Sequence, residues 1–196
     1  MAIAINDAAL DQLFRTARSY NGYQDKPVTR EQMDAIWELM KQGPTSANCL
    51  PARLVWCESA ESKEKLAALA GGANPDKIRK APVTVIIGMD MKFYDHLPEL
   101  FPPADARSWF TGNDALIEAT AMRNSSLQGA YFIMAARALG LDTGPMSGFD
   151  NVGVDEAFFA GTTIKSNFIS TLGYGDPASI FGKLPRPNFE TFNTIV

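Results

Sequence analysis

Arg18, Ser19 and Asn21 put a guanidinium, a hydroxyl and an amide within four residues, a donor set that can meet a phosphate or the polar edge of a ring. The same cluster also suits a plain helix C-terminus, where a basic residue offsets the dipole. A second polar turn, Gly43-Pro44-Thr45-Ser46-Ala47-Asn48-Cys49-Leu50-Pro51, offers Thr45, Ser46 and Asn48 on a rigid loop, and its plainer reading is a helix stop. Asn74 and Lys77 share one side of a helical turn, which can bind a ligand or merely solvate a helix start. The fourth turn, Gly140 to Asp150, brings backbone amides up to a helix start, and its glycines admit a flat ligand to the main chain. No Gly-x-Gly-x-x-Gly follows a strand, and Gly-x4-Gly-Lys-Ser/Thr, His-Glu-x-x-His and Gly-x-Ser-x-Gly are all missing. An enzyme of this sequence therefore needs a cofactor to carry the reaction, with the protein supplying binding, orientation and electrostatics.

These turns must be positioned by the elements around them. Leu10, Leu13, Phe14 and Ala17 recur at helical spacing behind Asp7, which predicts a helix from Asp7 to about Ser19. Thr29 and Gln32 make a capping box ahead of Met33, Ile36, Trp37 and Met40, a second helix that Gly43-Pro44 breaks. A strand follows over 53–57, then a helix over 62–70. Residues 81–88 are apolar and β-branched on both faces, the mark of a buried central strand. Residues 90–112 combine prolines with Phe93, Tyr94, Phe101, Trp109 and Phe110 in an insertion without periodicity, expected to act as a lid. The longest helical pattern runs from Asn113 to Leu139 and is rich in small residues that permit close approach of another backbone. A short helix over 150–159, a strand over 167–172 and a Pro-interrupted tail from Asp176 complete the chain. Helices outnumber strands without strict βαβ alternation, so the class is α+β, in one domain.

Composition narrows the partners. At 196 residues, 46% hydrophobic and 20% charged, the chain reads as a globular protein, and its net charge of −4 is interspersed, which argues against nucleic acid or an anionic membrane. His96 is the only histidine, which leaves no His-rich metal site, so the metal expectation is none. Cys49 and Cys57 are too close to staple distant segments and read as bystander thiols in a reducing compartment. With no signal core and no run of about 18 apolar residues, the expected location is the cytoplasm.

Taken in order, Arg18 to Tyr23, Gly43 to Pro51, Asp105-Ala106-Arg107-Ser108-Trp109-Phe110-Thr111, Arg123-Asn124-Ser125-Ser126-Leu127-Gln128, Ala138 to Asp150 and Phe158 to Asn167 resemble the nitroreductase superfamily. The resemblance runs nearly end to end and is nearest to the malonic semialdehyde reductase and NADH dehydrogenase/nitroreductase branch. It implies a nitroreductase-like fold, with a central, mainly antiparallel sheet flanked by helices and a C-terminal arm, about 176–196, extending to the partner subunit. It also implies FMN as cofactor, NADH or NADPH as hydride donor, and a homodimer with each flavin between subunits. By position, Arg18 and Ser19 would serve the phosphate, with Lys183 or Arg186 completing the clamp. Pro44, Thr45, Ser46 and Asn48 would line the ribityl chain and ring, with Asn21 beside the flavin. Asn74 and Lys77 would reach the pyrimidine edge, and Pro145, Met146, Ser147 and Gly148 would lie over the ring. No protein group is implied as nucleophile.

Two departures stand out from that pattern. Many relatives carry basic residues where Ala17 and Asn21 stand, and an acidic residue where Ser147 stands, which points to altered flavin tuning or substrate range. The implied acceptor is malonic semialdehyde, reduced to 3-hydroxypropanoate, with Arg107 or Arg53 holding its carboxylate; Trp109 and Phe110 either shape the mouth or serve as aromatic packing under the long loop. A broad nitroaromatic or quinone reductase uses the same flavin chemistry, and a flavin-binding or interaction protein without turnover is the reading of another class.

Overall fold

The computed structural model describes residues 3–196. Four strands, β1 (Ala52–Cys57), β2 (Val83–Asp90), β3 (Asp142–Met146) and β4 (Ile164–Gly173), form one antiparallel sheet in the order β1-β2-β4-β3. Every residue of β2 is buried, as its run of apolar and β-branched residues requires of a strand covered on both faces. Alternation assigns its side chains to two layers: Val85 and Ile87 enter one core cluster, and Ile86 enters another. β3 lies in the segment expected to be a turn. Gly144 and Pro145 disguise it, yet Pro145 is tolerated because β3 is an edge strand, where a missing N–H costs no ladder bond.

The first sheet face is covered by α2 (Arg30–Met40) and the 25-residue α6 (Asp114–Ala138), with Ile36, Met40, Phe132 and Leu172 in one buried cluster. α2 carries the expected capping box, Thr29 and Gln32 each bonding the other's backbone. α6 is capped by Asn113, whose side chain accepts from the Leu116 amide, and its ends fall within a residue of expectation. Its small residues serve the sheet: a Cβ added at Gly129 would stand 2.4 Å from the Phe168 ring, so only glycine lets helix and strand approach this closely. α3 (Ala60–Ala67), α4 (Asn74–Lys80) and α7 (Asn151–Phe158) cover the other face through Leu66, Ile78 and Val154.

Three expectations are corrected. The opening helix α1 (Asp7–Leu10) is capped by Asn6, continues as a π turn over Asp11–Arg15, and ends well short of Ser19. The 62–70 helix starts and stops earlier, because Ser59 captures the Ser62 amide. The insertion expected to lack regular structure has some. It holds α5 (Leu97–Leu100) and two 3-10 turns, and Phe93, Leu97, Ala106 and Phe110 pack with Cys49, Ile117 and Ala121 in a third buried cluster. After a 3-10 turn over Pro177–Ser179, every residue from Phe181 onward is exposed, including the short α8 (Phe189–Phe192).

Candidate functional site

Past the π turn the chain runs along the free edge of β3. Ser19 bridges Thr143 in parallel, and the Tyr20 amide donates to the Thr143 carbonyl at 3.1 Å. Gly144 makes this approach possible, since a Cβ there would lie 2.5 Å from the Tyr20 carbonyl oxygen. The root of the C-terminal tail closes over the same place, where the Arg18 guanidinium donates to the Phe181 carbonyl and Lys183 Nζ donates to the Arg15 carbonyl at 2.7 Å. The result is a cleft of about 460 Å³ lined by Arg18, Ser19, Arg137, Lys183 and Arg186, with Ala17, Phe181, Gly182 and Leu184. Four cations and no carboxylate line it, and none of the four takes part in an ion pair among the described residues. In a chain of net charge −4, such a concentration of positive charge favours an anion there.

Arg137 is the member that sequence reasoning missed. It stands in the last turn of α6, where a basic residue reads simply as a partner of the helix dipole. Burial holds its guanidinium below the ordinary value, against the pull of Asp142.

Four residues of strand, about 13 Å at the usual rise, separate Thr143 from the turn after β3. There Pro145, Ser147 and Gly148 are exposed while Met146 is buried. Neither the Ser147 nor the Gly148 amide donates a hydrogen bond within the described residues. The Gly148 carbonyl accepts from Asn74 Nδ2 at 3.1 Å and from the Gly71 amide at 2.9 Å, which fixes the turn against α4. Lys77 lies one turn further along α4, half-buried. One strand edge thus joins a cationic cleft to an open turn with unpaired amides and a lysine nearby.

The remaining expected residues lie elsewhere. Pro44, Thr45, Ser46 and Asn48 form a turn seated on α6 and the insertion: Tyr131 Oη donates to the Pro44 carbonyl at 2.9 Å, the Ser46 amide donates to Asn124 Oδ1 at 2.8 Å, and Asn48 Nδ2 donates to the Leu100 carbonyl at 2.9 Å. Asn124 and Arg137 are thirteen residues apart on α6, about 20 Å at 1.5 Å per residue. Asn21 is absent from the cationic cleft. Its amide donates to the Ser179 carbonyl at 2.9 Å and so fastens the root of the tail.

Among the substrate candidates, Trp109 is 51% exposed and Phe110 only 5%. Phe110 is a core residue and not part of a mouth, its ring set edge-on to Phe93 at 4.9 Å. Arg107 pairs with Asp95 at 2.9 Å on the surface, while Arg53 is held by Asp90 at 2.8 Å and by the Leu50 and Ala52 carbonyls. Arg53 is thus more firmly held than Arg107, which favours Arg107 for the carboxylate.

Cys49 and Cys57 are buried, and burial pushes both thiols up to about 11. Neither is a reactive thiolate at neutral pH. Iodoacetamide at pH 8 is expected to label them only upon unfolding, and labelling of the native protein at the rate of a free thiol would contradict this. Because the folded values lie above the ordinary one, their contribution to stability is complete below about pH 8.5 and declines as pH rises toward 11.

Among the described residues no helix is long and apolar enough to cross a membrane, and no His/Cys/Asp/Glu cluster could hold a metal. A Burkholderia lata protein provisionally named an NADH dehydrogenase/NAD(P)H nitroreductase is 61% identical over 186 residues, 95% of each chain. A Stenotrophomonas maltophilia protein with the same provisional name is 57% identical over 97% of each chain. A crystal structure from Exiguobacterium sibiricum, provisionally named a nitroreductase and complexed with FMN, matches with a TM-score of 0.84 over 100% of both chains at 20% identity. One from Staphylococcus epidermidis, provisionally named an NAD(P)H:FMN oxidoreductase, matches with a TM-score of 0.83 over 100% of this chain and 98% of its own, at 18% identity. At those identities the likeness is one of fold. The nitroreductase family model matches residues 14–174, most of the chain, and with the identity to the Burkholderia protein this shows that the chain belongs to the nitroreductase family.

Proposed function

We propose that this protein is an FMN-dependent NAD(P)H oxidoreductase that works as a homodimer. The observation that carries the reading is the strand edge joining the four-cation cleft to the open turn after β3. Arg18, Ser19, Lys183 and Arg186 fit the phosphate, because a dianion needs several charge-assisted donors in one place. Asn74, the exposed Ser147–Gly148 backbone and Lys77 fit a flat polar ring about 13 Å along the strand. Lys77 would hold negative charge gained at the ring's edge. When bound, FMN would supply the two-electron chemistry, taking hydride from NADH or NADPH and giving it to an acceptor.

The turn 44–48 is seated at Asn124, about 20 Å along α6 from the Arg137 end of the cleft, and in the homodimer reading a second copy's turn supplies Pro44, Thr45, Ser46 and Asn48. The exposed Leu116, Met122 and Leu127 of α6 and the apolar tail fit burial in that dimer. The sheet offers the tail a place to land: β1 is an open edge beside a groove of about 910 Å³ lined by Val28, Met33, Trp37, Leu54 and Trp56.

For the acceptor, the reading is a small aldehyde acid of the malonic semialdehyde type. Arg107 can hold its carboxylate, since a surface pair such as Arg107–Asp95 is weak and exchanges partners readily. The half-exposed Trp109 favours a second reading, in which the acceptor is a planar quinone or nitroaromatic stacked on the indole. The purified protein is expected to show an oxidised-flavin spectrum that bleaches on anaerobic addition of NADH or NADPH. A colourless protein without affinity for added FMN would overturn the proposal, and a coloured one that neither reductant bleaches would leave only a flavin carrier. Turnover with malonic semialdehyde, a quinone and a nitroaromatic, compared between the native protein and Arg107→Ala, separates the acceptors: only the aldehyde acid should show a raised KM in the variant.

A further inference from the structure

We infer that Arg137 is a further phosphate-binding residue, and that through it the cleft distinguishes phosphorylated flavin from riboflavin. This rests on the FMN reading and adds to it a residue which that reading did not include.

Arg137 lines the cleft together with Arg18, Lys183 and Arg186. Among the described residues its enclosed Nε has no acceptor, and its one protein oxygen partner is the Leu13 carbonyl, 2.9 Å from Nη1. Asp142 is the carboxylate that acts on it, yet the pair falls outside ion-pair distance, and Asp142 Oδ2 instead accepts from the Gly175 amide at 2.9 Å. A guanidinium has five N–H donors in a fixed fork, and this one uses a single donor on a protein oxygen. An enclosed donor left unmatched is costly, and such a group persists where a ligand completes it.

A C-terminal helix arginine serving only the dipole would turn to its own last carbonyls. Arg137 does not, and the carbonyl of Arg137 itself is taken by Gln12 Nε2 at 2.6 Å. The two contacts to Gln12 and Leu13 tie the end of α6 to the segment that leads directly into Arg18. The residue that ties α6 to this segment, through its side chain to Leu13 and its carbonyl to Gln12, also lines the cleft.

The test is the affinity of the full-length protein for FMN and for riboflavin, read by flavin fluorescence, in the native chain, Arg137→Gln and Arg137→Lys. Loss of one charge-assisted phosphate contact predicts FMN binding weaker by ~10- to 50-fold in Arg137→Gln. Riboflavin binding should stay within about twofold of native, because the ring contacts are untouched. Arg137→Lys keeps the charge without the fork and should lose only several-fold. Equal weakening of both flavins would overturn the inference and leave Arg137 as a docking residue for α1, as would unchanged FMN affinity. Should the glutamine variant fail to fold, the lysine variant carries the same FMN-to-riboflavin comparison. If the native chain binds neither flavin, the FMN reading falls and inorganic phosphate becomes the probe: thermal stabilisation by phosphate that disappears in Arg137→Gln, or shrinks in Arg137→Lys, keeps Arg137 as an anion ligand, and no stabilisation of the native chain removes it.

Discussion

Ending the chain at Ile180 is expected to leave a folded protein that has lost FMN. The last buried residues are Leu172, Gly173 and Gly175, and nothing from Phe181 onward enters a core cluster of its own chain, so the protomer fold should persist and any loss of thermal stability should come only from the tail's docking on a second copy. The cleft, however, loses Lys183 and Arg186, two of its four cations. Each charge-assisted contact contributes about 1.5–3 kcal/mol when desolvated and less on an exposed tail, so the pair accounts for roughly 2–4 kcal/mol. That corresponds to FMN binding weaker by ~30- to 1,000-fold.

A second truncation, after Pro187, separates two roles of the same tail. It keeps both cations but removes Phe189, Phe192, Ile195 and Val196, each more than half exposed. If those side chains dock on a second copy, this shorter deletion should weaken the dimer while a concentrated sample still binds flavin. Sedimentation across a dilution series reads the first effect and flavin fluorescence the second. Native-like FMN affinity in the chain ending at Ile180 would remove Lys183 and Arg186 from the clamp.

How far the site could be read beforehand depends on whether its determinants are local. α6 was legible almost to the residue because its helical pattern is long and unbroken, and the structure adds the local reasons for its ends: Asn113 caps it and Gly140, at φ 75°, stops it. Arg18, Ser19, Lys183 and Arg186 were visible through resemblance, although one pair lies more than 160 residues from the other, and the structure brings all four into one cleft. Arg137 was hidden because its local setting, a helix end, has an ordinary explanation; what marks it is a Leu13 carbonyl 124 residues away. Phe110 kept two readings, mouth or packing, for the same reason: its burial is created by Phe93, Ile117 and the rest of a cluster without sequence periodicity, and that burial favours packing. β3 was missed because Gly144 and Pro145 are turn residues by type, and only the arrival of Tyr20 at 2.5 Å from a would-be Cβ shows why the glycine is there.

The turn at 44–50 holds the least legible feature, and Asn124 is the residue through which it can be tested. Ala47, Asn48 and Leu50 all adopt positive φ, at 49°, 51° and 39°, a region that alanine and leucine avoid at a cost of roughly 1–2 kcal/mol each. Hydrogen bonds hold the turn in place: Leu50 amide to Thr45 Oγ1 at 3.2 Å, Ala52 amide to Gln128 Oε1 at 2.8 Å, and Ser46 amide to Asn124 Oδ1 at 2.8 Å. Asn124 is 1% exposed, and its Nδ2 donates to the Thr120 carbonyl at 2.8 Å, so both ends of its amide are used. Asn124→Leu removes the acceptor for a part-buried amide and relaxes the strained turn, with an expected loss of about 2–4 kcal/mol and a Tm lower by roughly 5–15 °C.

Asn124→Asp is the sharper variant. One oxygen still accepts from Ser46, but the other now faces the Thr120 carbonyl, which has no proton to give. The carboxyl must therefore be protonated to restore that bond, and its folded pKa rises above the ordinary ~3.9. A raised folded value means that stability is complete at acid pH and is lost as pH climbs through the folded pKa. Urea midpoints relative to the native chain should thus be close at pH 4 and separate progressively toward pH 8. A deficit of equal size at every pH, or an Asn124→Leu protein that melts within about 1 °C of native, would show that this side chain does not hold the turn.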